Sequence, residues 1–206
     1  MISIVDYGAG NLTSVKRALD YSGIKSQITA DPKELLTAER IIFPGVGHAS
    51  SAMKTLIERG LDTALKNAFL SGIPLLGICL GTQIILGHSD EGDTECIGLI
   101  EGNCPRFDLK DKSLKIPHMG WDSIRILRDH PVFRNVKPQD EFYFVHSYYP
   151  QPADKSTIIA LCEYGTEFPV VIGTRNLIAT QFHPEKSGPA GLEILKSFSS
   201  WDGSPC

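Results

Sequence analysis

The apolar run Ile73-Pro74-Leu75-Leu76 leads straight into Gly77-Ile78-Cys79-Leu80-Gly81-Thr82-Gln83. That order of residues reads as a strand, a sharp turn and the start of a helix, with a thiol at the apex. Glycines two positions to either side of Cys79 let the backbone turn tightly and let another element or a substrate approach, which is the geometry of a nucleophile elbow. A turn of this kind places Sγ at a helix N-terminus, where the dipole favours the thiolate, so the stretch predicts a covalent cysteine enzyme.

The first half of the chain alternates apolar β-type runs with amphipathic segments: Ile2-Val5, Asn11-Tyr21, Ile24-Thr29, Pro32-Leu36, Ile41-Phe43, Ala49-Phe69 and Pro74-Ile78. This is the rhythm of βαβ units. From Ile97 onward it changes to short strand-like runs, Ser123-Leu127, Glu141-His146, Ser156-Cys162, Val170-Thr174 and Leu177-Gln181, before a closing helix from Gly188 to about Ser200. Leu192, Leu195 and Phe198 share one face of that helix. The expected fold is α/β, an open twisted sheet, mostly parallel, with helices on both faces and added antiparallel strands. A chain of 206 residues supports one domain of this kind, spanning residues 1–206.

A net charge of −4 with no basic cluster argues against a nucleic-acid partner. The apolar stretch Ile73–Leu86 is broken by Thr82 and Gln83 and is too short to span a bilayer. The opening residues Met1-Ile2-Ser3-Ile4-Val5 lack the basic region of a signal peptide and read as the first strand, so the expected compartment is the cytoplasm. The five cysteines, Cys79, Cys96, Cys104, Cys162 and Cys206, form no Cys-x-x-Cys pair, which argues against a disulfide framework or a thiolate metal site. No metal or cofactor is expected.

Two glycine-rich turns tempt a nucleotide reading. In Gly8-Ala9-Gly10-Asn11-Leu12-Thr13, Thr13 replaces the third glycine of the dinucleotide fingerprint. A tight βα turn with Asn11 capping the helix fits better. Pro44-Gly45-Val46-Gly47-His48 has no lysine after its glycines, so it is not a P-loop. Its glycines suit repositionable N–H donors beside a reaction centre.

A thiol nucleophile needs a base, and the base needs a group that holds its tautomer. His183 follows the strand-like run Leu177-Gln181, and Glu185 stands two residues on, able to accept the other ring N–H. Strand ends of a parallel sheet share one rim, which would let His183 meet Cys79. The stretch alone fits a structural histidine beside a turn proline equally well. His48, His118 and His130 lack a nearby orienting carboxylate in a matching strand-end context, the acidic neighbours of His88 look like a solvated loop, and His146 reads as part of a binding wall. An elbow supplies one oxyanion donor, the Leu80 N–H. A second can come from the Gly45-Val46-Gly47 turn, where glycine lets a peptide reorient.

Together these residues resemble the class I, or triad, glutamine amidotransferases, whose signatures match Gly77-Ile78-Cys79-Leu80-Gly81-x-Gln83 and His183-Pro184-Glu185. Within that family the chain is similar to the glutaminase subunits of histidine biosynthesis. This likeness rests on Asp6-Tyr7-Gly8-x-Gly10-Asn11-Leu12, Pro44-Gly45-Val46-Gly47, Pro117-His118-Met119-Gly120-Trp121, Tyr143 to Tyr149, and Gln181 to Ser187. The resemblance implies that Cys79 attacks the side-chain amide of L-glutamine while His183, held by Glu185, protonates the departing ammonia. It implies an oxyanion hole at Leu80 with Val46 and Gly47, and substrate contacts from Gln83, Glu91, Ser147 and Tyr148. Asn11, Trp121, Tyr143 and Lys186 match positions at the ammonia passage or the partner interface. Thr82, Ala49 and Asp122 stand where Met, Phe and Asn are common. Asp122 adds a charge at that interface, predicting a compensating cation on the partner.

Ammonia released into neutral water is protonated and stops being a nucleophile, so it needs a shielded path to an acceptor site. No acceptor domain fits in these residues. The resemblance implies that the acceptor is a (β/α)₈-barrel cyclase in a heterodimer. The competing readings are another triad amidotransferase subunit, such as the one in pyridoxal phosphate synthesis; a generic cysteine hydrolase or a stress-response protein of the same fold; and a binding subunit that tolerates loss of Cys79. The first lacks the Pro117-Trp121 and Tyr143-Tyr149 runs, and the second has no use for Gln83 and the Val145-Tyr148 wall.

Overall fold

The computed structural model describes residues 1–8 and 10–204, so Ala9, Pro205 and Cys206 lie outside the described residues. An eight-stranded sheet runs, edge to edge, through Ser26–Thr29, Ile2–Val5, Arg40–Gly45, Leu75–Cys79, Leu177–Thr180, Glu167–Thr174, Ile158–Glu163 and Arg125–Ile126. Neighbours from Ser26–Thr29 to Leu177–Thr180 are parallel, and the rest are antiparallel. The central strands are apolar on both faces because both faces are covered. Ile2, Ile4, Leu76 and Ile78 pack on one side with the helices Leu12–Tyr21 and Gly188–Ser200, while Val5, Phe43 and Leu75 pack on the other with Ala49–Glu58 and Leu61–Leu70.

The closing helix spans Gly188–Ser200 and fully buries Ile194, Leu195 and Phe198, while Leu192 is half-buried at its edge. Each large side chain sunk in this way contributes roughly 1.5–3 kcal/mol. The amphipathic stretch expected over Ala49-Phe69 is two helices, Ala49–Glu58 and Leu61–Leu70, divided at Gly60, whose φ of 67° ends the first and opens the second. The expected strand Glu141-His146 forms, but not as an addition to the main sheet. It pairs with His118–Ser123 in a separate antiparallel ribbon, in the register His146 to His118 and Glu141 to Ser123. A further small sheet joins Gln151–Pro152, Gly102–Cys104, His88–Ser89 and Thr94–Glu95.

In the parallel register Gly45 lies opposite Cys79, and Ile78 lies opposite Thr180. The C-terminal ends of three adjacent strands therefore open onto one rim. Past those ends come the Gly45-Val46-Gly47 turn, the elbow, and the Gln181–Glu185 segment, which is where open α/β sheets place their ligands.

Candidate active site

The strain of the elbow is carried by Cys79 itself, with φ 54° and ψ −109°, a conformation costly for any residue with a side chain. The flanking glycines serve another end. A Cβ on Gly81 would lie 2.0 Å from the Phe43 carbonyl oxygen, and one on Gly77 would lie 3.0 Å from the Ala179 Cβ. They let the short helix Leu80–Ile84 sit against the neighbouring strands, so the thiol stands at their shared end. Cys79 is 6% exposed, and the Gln181 Nε2 donates toward its sulfur at 3.8 Å.

His183 is fully buried beside it, as expected from its place after Leu177–Thr180. Its Nδ1 lies 2.8 Å from Glu185 Oε1, and Asn11 Nδ2 donates to the same oxygen. Nε2 of His183 and Oε2 of Glu185 are both buried without a hydrogen-bond partner among the described residues. Burial alone would lower the basicity of His183. Its interactions with Cys79 and with Glu185 outweigh burial and lift the imidazole pKa to about 10. The imidazole of His183 is thus held in its protonated form beside Cys79.

Asn11 departs from its expected role as a helix cap. It occupies the capping position before Leu12–Tyr21 with φ 91°, but its side chain makes no capping bond and reaches across to brace Glu185 and His183. The other residues expected at the passage or interface cluster at the rim. Trp121 is 52% exposed and meets Tyr143 edge-on at 6.0 Å; Lys186 lies over the Tyr143 ring at 5.7 Å; and that ring lies 6.4 Å from His183.

On the other side of Cys79 a cavity of about 300 Å³ is lined by Val46, Gly47, Leu80, Gln83, Glu91, Pro117, Val145, His146, Ser147 and Tyr148. It brings together every residue expected to bind substrate or oxyanion. Glu91 is turned partly inward, its Oε2 accepting the Ala49 N–H at 2.7 Å. Gln83 is committed to the wall: its Nε2 donates to the Tyr148 carbonyl at 2.9 Å and to Gln181 Oε1 at 3.1 Å. Gly45 and Gly47 differ in freedom. A Cβ on Gly45 would lie 2.1 Å from the Tyr7 hydroxyl, whereas Gly47, at φ 106°, has nothing within 4 Å of where its Cβ would be.

His118 has the carboxylate that sequence proximity did not suggest. Asp122, four residues along the same strand and on the same face, lies 3.0 Å from its Nε2. The signal was the period of two along the strand. His88, expected in a solvated loop, lies instead in the short strand His88–Ser89, where backbone pairing holds it while its ring meets Asp93 at 2.9 Å in an exposed pair. Burial raises the thiol pKa of Cys96 and Cys162 to about 12 and lifts that of Cys104 well above the ordinary thiol value, which leaves them protonated. Among the described residues no group of three or more His, Cys, Asp or Glu is placed to hold a metal ion.

A cysteine on a strained elbow, a histidine and carboxylate beyond the next strand, and a pocket between them define a class of enzyme. The sequence matches the family described as glutamine amidotransferase class-I over residues 3–200, and the chain belongs to that family. The fold agrees: it superposes on a crystal structure of a glutamine amidotransferase with TM-score 0.74 at 17% identity, covering 96% of this chain and 99% of that one. The structure of PurLQS from Thermotoga maritima gives 0.69 at 18% identity, with 96% of each chain covered. Within the family the chain belongs with the imidazole glycerol phosphate synthase subunits HisH. It is 48% identical to that subunit of Nitratidesulfovibrio vulgaris strain Miyazaki F, over 98% of this chain and 97% of the relative. Against the HisH subunit of Dehalococcoides mccartyi strain 195 it is 45% identical, with 96% of each covered.

Proposed function

We propose that this chain is the glutaminase subunit of an imidazole glycerol phosphate synthase, with residues 1–206 acting as one domain that hydrolyses L-glutamine and hands the ammonia to a cyclase. The observation that carries the reading is the buried Nε2 of His183, beside Cys79 and without a hydrogen-bond partner among the described residues, with Nδ1 held by Glu185.

The Cys79 thiolate adds to the side-chain amide carbon of glutamine, and the carbonyl electron pair moves onto oxygen. The Leu80 N–H and the Val46–Gly47 peptide stabilise that oxyanion. When the intermediate collapses, the C–N bond breaks, His183 gives its Nε2 proton to the leaving nitrogen, and a γ-glutamyl thioester and ammonia result. His183 then takes a proton from water as the water attacks the thioester, releasing glutamate and restoring the thiolate. Gln83, Glu91, Ser147 and Tyr148 shape the pocket around the amino-acid end of the substrate.

Ammonia leaves past His183 toward the rim of Met119, Trp121, Tyr143 and Lys186, where Met119 and Trp121 are 61% and 52% exposed. That apolar rim, with Lys186 as its cation, suits a (β/α)₈-barrel cyclase in a cytoplasmic heterodimer. Asp122 already has a hydrogen-bond partner within the chain, His118, so its carboxylate is engaged before any cation on the partner meets it. The open space at Gly47 allows the adjoining peptide to rotate, so turnover is expected to stay low until the partner holds its nucleotide substrate. The test is glutamine turnover with and without the cyclase, in wild type and Cys79→Ala, together with inactivation by a chloroketone analogue of glutamine. Fast turnover without the partner would remove the switch, and glutamine-dependent synthesis by Cys79→Ala would remove the nucleophile.

A further inference from the structure

Behind the pocket wall lies a chain of polar contacts that the reaction does not use. The Tyr148 carbonyl accepts from His146 Nδ1 at 2.8 Å, His146 Nε2 lies 3.1 Å from His118 Nδ1, and His118 Nε2 lies 3.0 Å from Asp122 Oδ2. A carbonyl only accepts, so His146 carries its proton on Nδ1 and presents a lone pair at Nε2. His118 must then donate from Nδ1, and it must also donate from Nε2 to an ionised Asp122. The complete chain therefore holds one proton more than a neutral imidazole and an ionised carboxylate supply.

The surroundings of His118 suit that proton. The ring is 1% exposed and stacks on Tyr164 at 4.1 Å and on Phe144 at 4.8 Å, faces that attract a cation. Its carboxylate partner is 36% exposed and so open to exchange with solvent. Burial works the other way, lowering the basicity of His118 while Asp122 raises it, and holding His146 neutral with a pKa of about 3. The remaining titratable groups nearby are the Tyr164 hydroxyl, which donates to the Lys115 carbonyl; the Cys162 thiol, which feels the charge of Asp122; and, beyond His146, His183.

We propose that Asp122 and His118 form a proton-dependent positioning pair that fixes the Tyr148 wall of the glutamine pocket through His146. With the extra proton, the Tyr148 carbonyl has two anchors, His146 and Gln83. Without it, His118 keeps its remaining N–H on Asp122 and turns a lone pair toward His146. His146 then moves its own proton to Nε2 and releases Tyr148. The wall loosens and glutamine binds less well.

This inference rests on the assignment of Tyr148 to the glutamine pocket, and the experiment separates the two. In the holoenzyme with its nucleotide substrate, kcat and KM for glutamine are measured between about pH 5 and 8. KM of the wild type should rise about tenfold with pH while kcat moves less, the effect of losing a buried hydrogen bond that depends on a charged group. Asp122→Asn offers an amide N–H to a neutral His118 and needs no extra proton, so its KM should stay at the low value throughout. Imidazole nitrogen NMR of the free protein should show His118 protonated on both nitrogens at low pH in the wild type and only on Nδ1 in Asp122→Asn. An unchanged KM slope in Asp122→Asn, or a His118 that titrates identically in both proteins, overturns the pair. A holoenzyme that turns over no glutamine overturns the pocket assignment instead, and the spectra still decide the proton.

Discussion

Two buried histidine assemblies flank the pocket, and they are built to opposite ends. At His183, Cys79 stands on one side and Glu185 on the other, and the imidazole pKa rises to about 10, yet Nε2 and Oε2 have no partner among the described residues. At His146 and His118 every ring nitrogen is engaged, and burial lowers both pKa values. Unmet bonding capacity in a buried group costs stability and marks a place where a substrate will complete the set, whereas saturated contacts hold a wall in place. In the proposed mechanism the same residue type thus serves as reagent on one side of Cys79 and as scaffold on the other.

The sharpest way to break this contrast is to remove each histidine in turn. Cys79→Ala and His183→Ala should each lower glutamine turnover in the holoenzyme by at least about 10³-fold. Glu185→Gln should cost about 10²-fold in kcat, because the imidazolium loses the carboxylate that stabilises it. His146→Ala should do the reverse. It leaves His118 Nδ1 and the Tyr148 carbonyl without a partner, costing about 1–3 kcal/mol of stability by urea denaturation, with kcat altered less than KM. Asn11→Ala should lower kcat about tenfold or less, since the brace on Glu185 is lost but the His183–Glu185 contact stays.

The smallest effect is in the dependence of stability on pH. His183 has its folded pKa raised to about 10 from the ordinary value near 6.5. His183 itself therefore holds more proton in the folded state between those values. Its stabilising contribution is complete below about pH 6.5 and declines as pH rises through about 10. Urea midpoints measured over that range should fall in the wild type and fall less steeply in Glu185→Gln. A decline that persists unchanged in His183→Asn would show that His183 is not the group responsible.

Much of this could be read from the chain because it was local. The elbow, the strand end before His183 and the face of Gly188–Ser200 each lie within a few residues, where hydrophobic period and glycine placement speak directly. What escaped the sequence was contact between distant segments. Nothing near Asn11 says that its amide will sit on Glu185, 174 residues away, in place of capping its own helix. Nor does Gln181 announce a contact with Cys79, because its side-chain direction depends on how two strands pair. Asp122 was missed for a different reason. Its pairing with His118 is local, but it shows only once residues 118–123 are seen as a strand that puts every second side chain on one face. The break at Gly60 turned on one backbone angle within a pattern that otherwise continues as helix.

The left-handed backbone of Cys79, at φ 54° and ψ −109°, bears on how such a chain would evolve. In the proposed mechanism the reaction requires a thiol at that position, whereas glycine adopts the conformation without penalty. Cys79→Gly should therefore fold more stably than Cys79→Ala. A duplicated copy released from catalysis would drift toward glycine at residue 79, so the residue found there in any descendant would be a record of whether its lineage still makes ammonia.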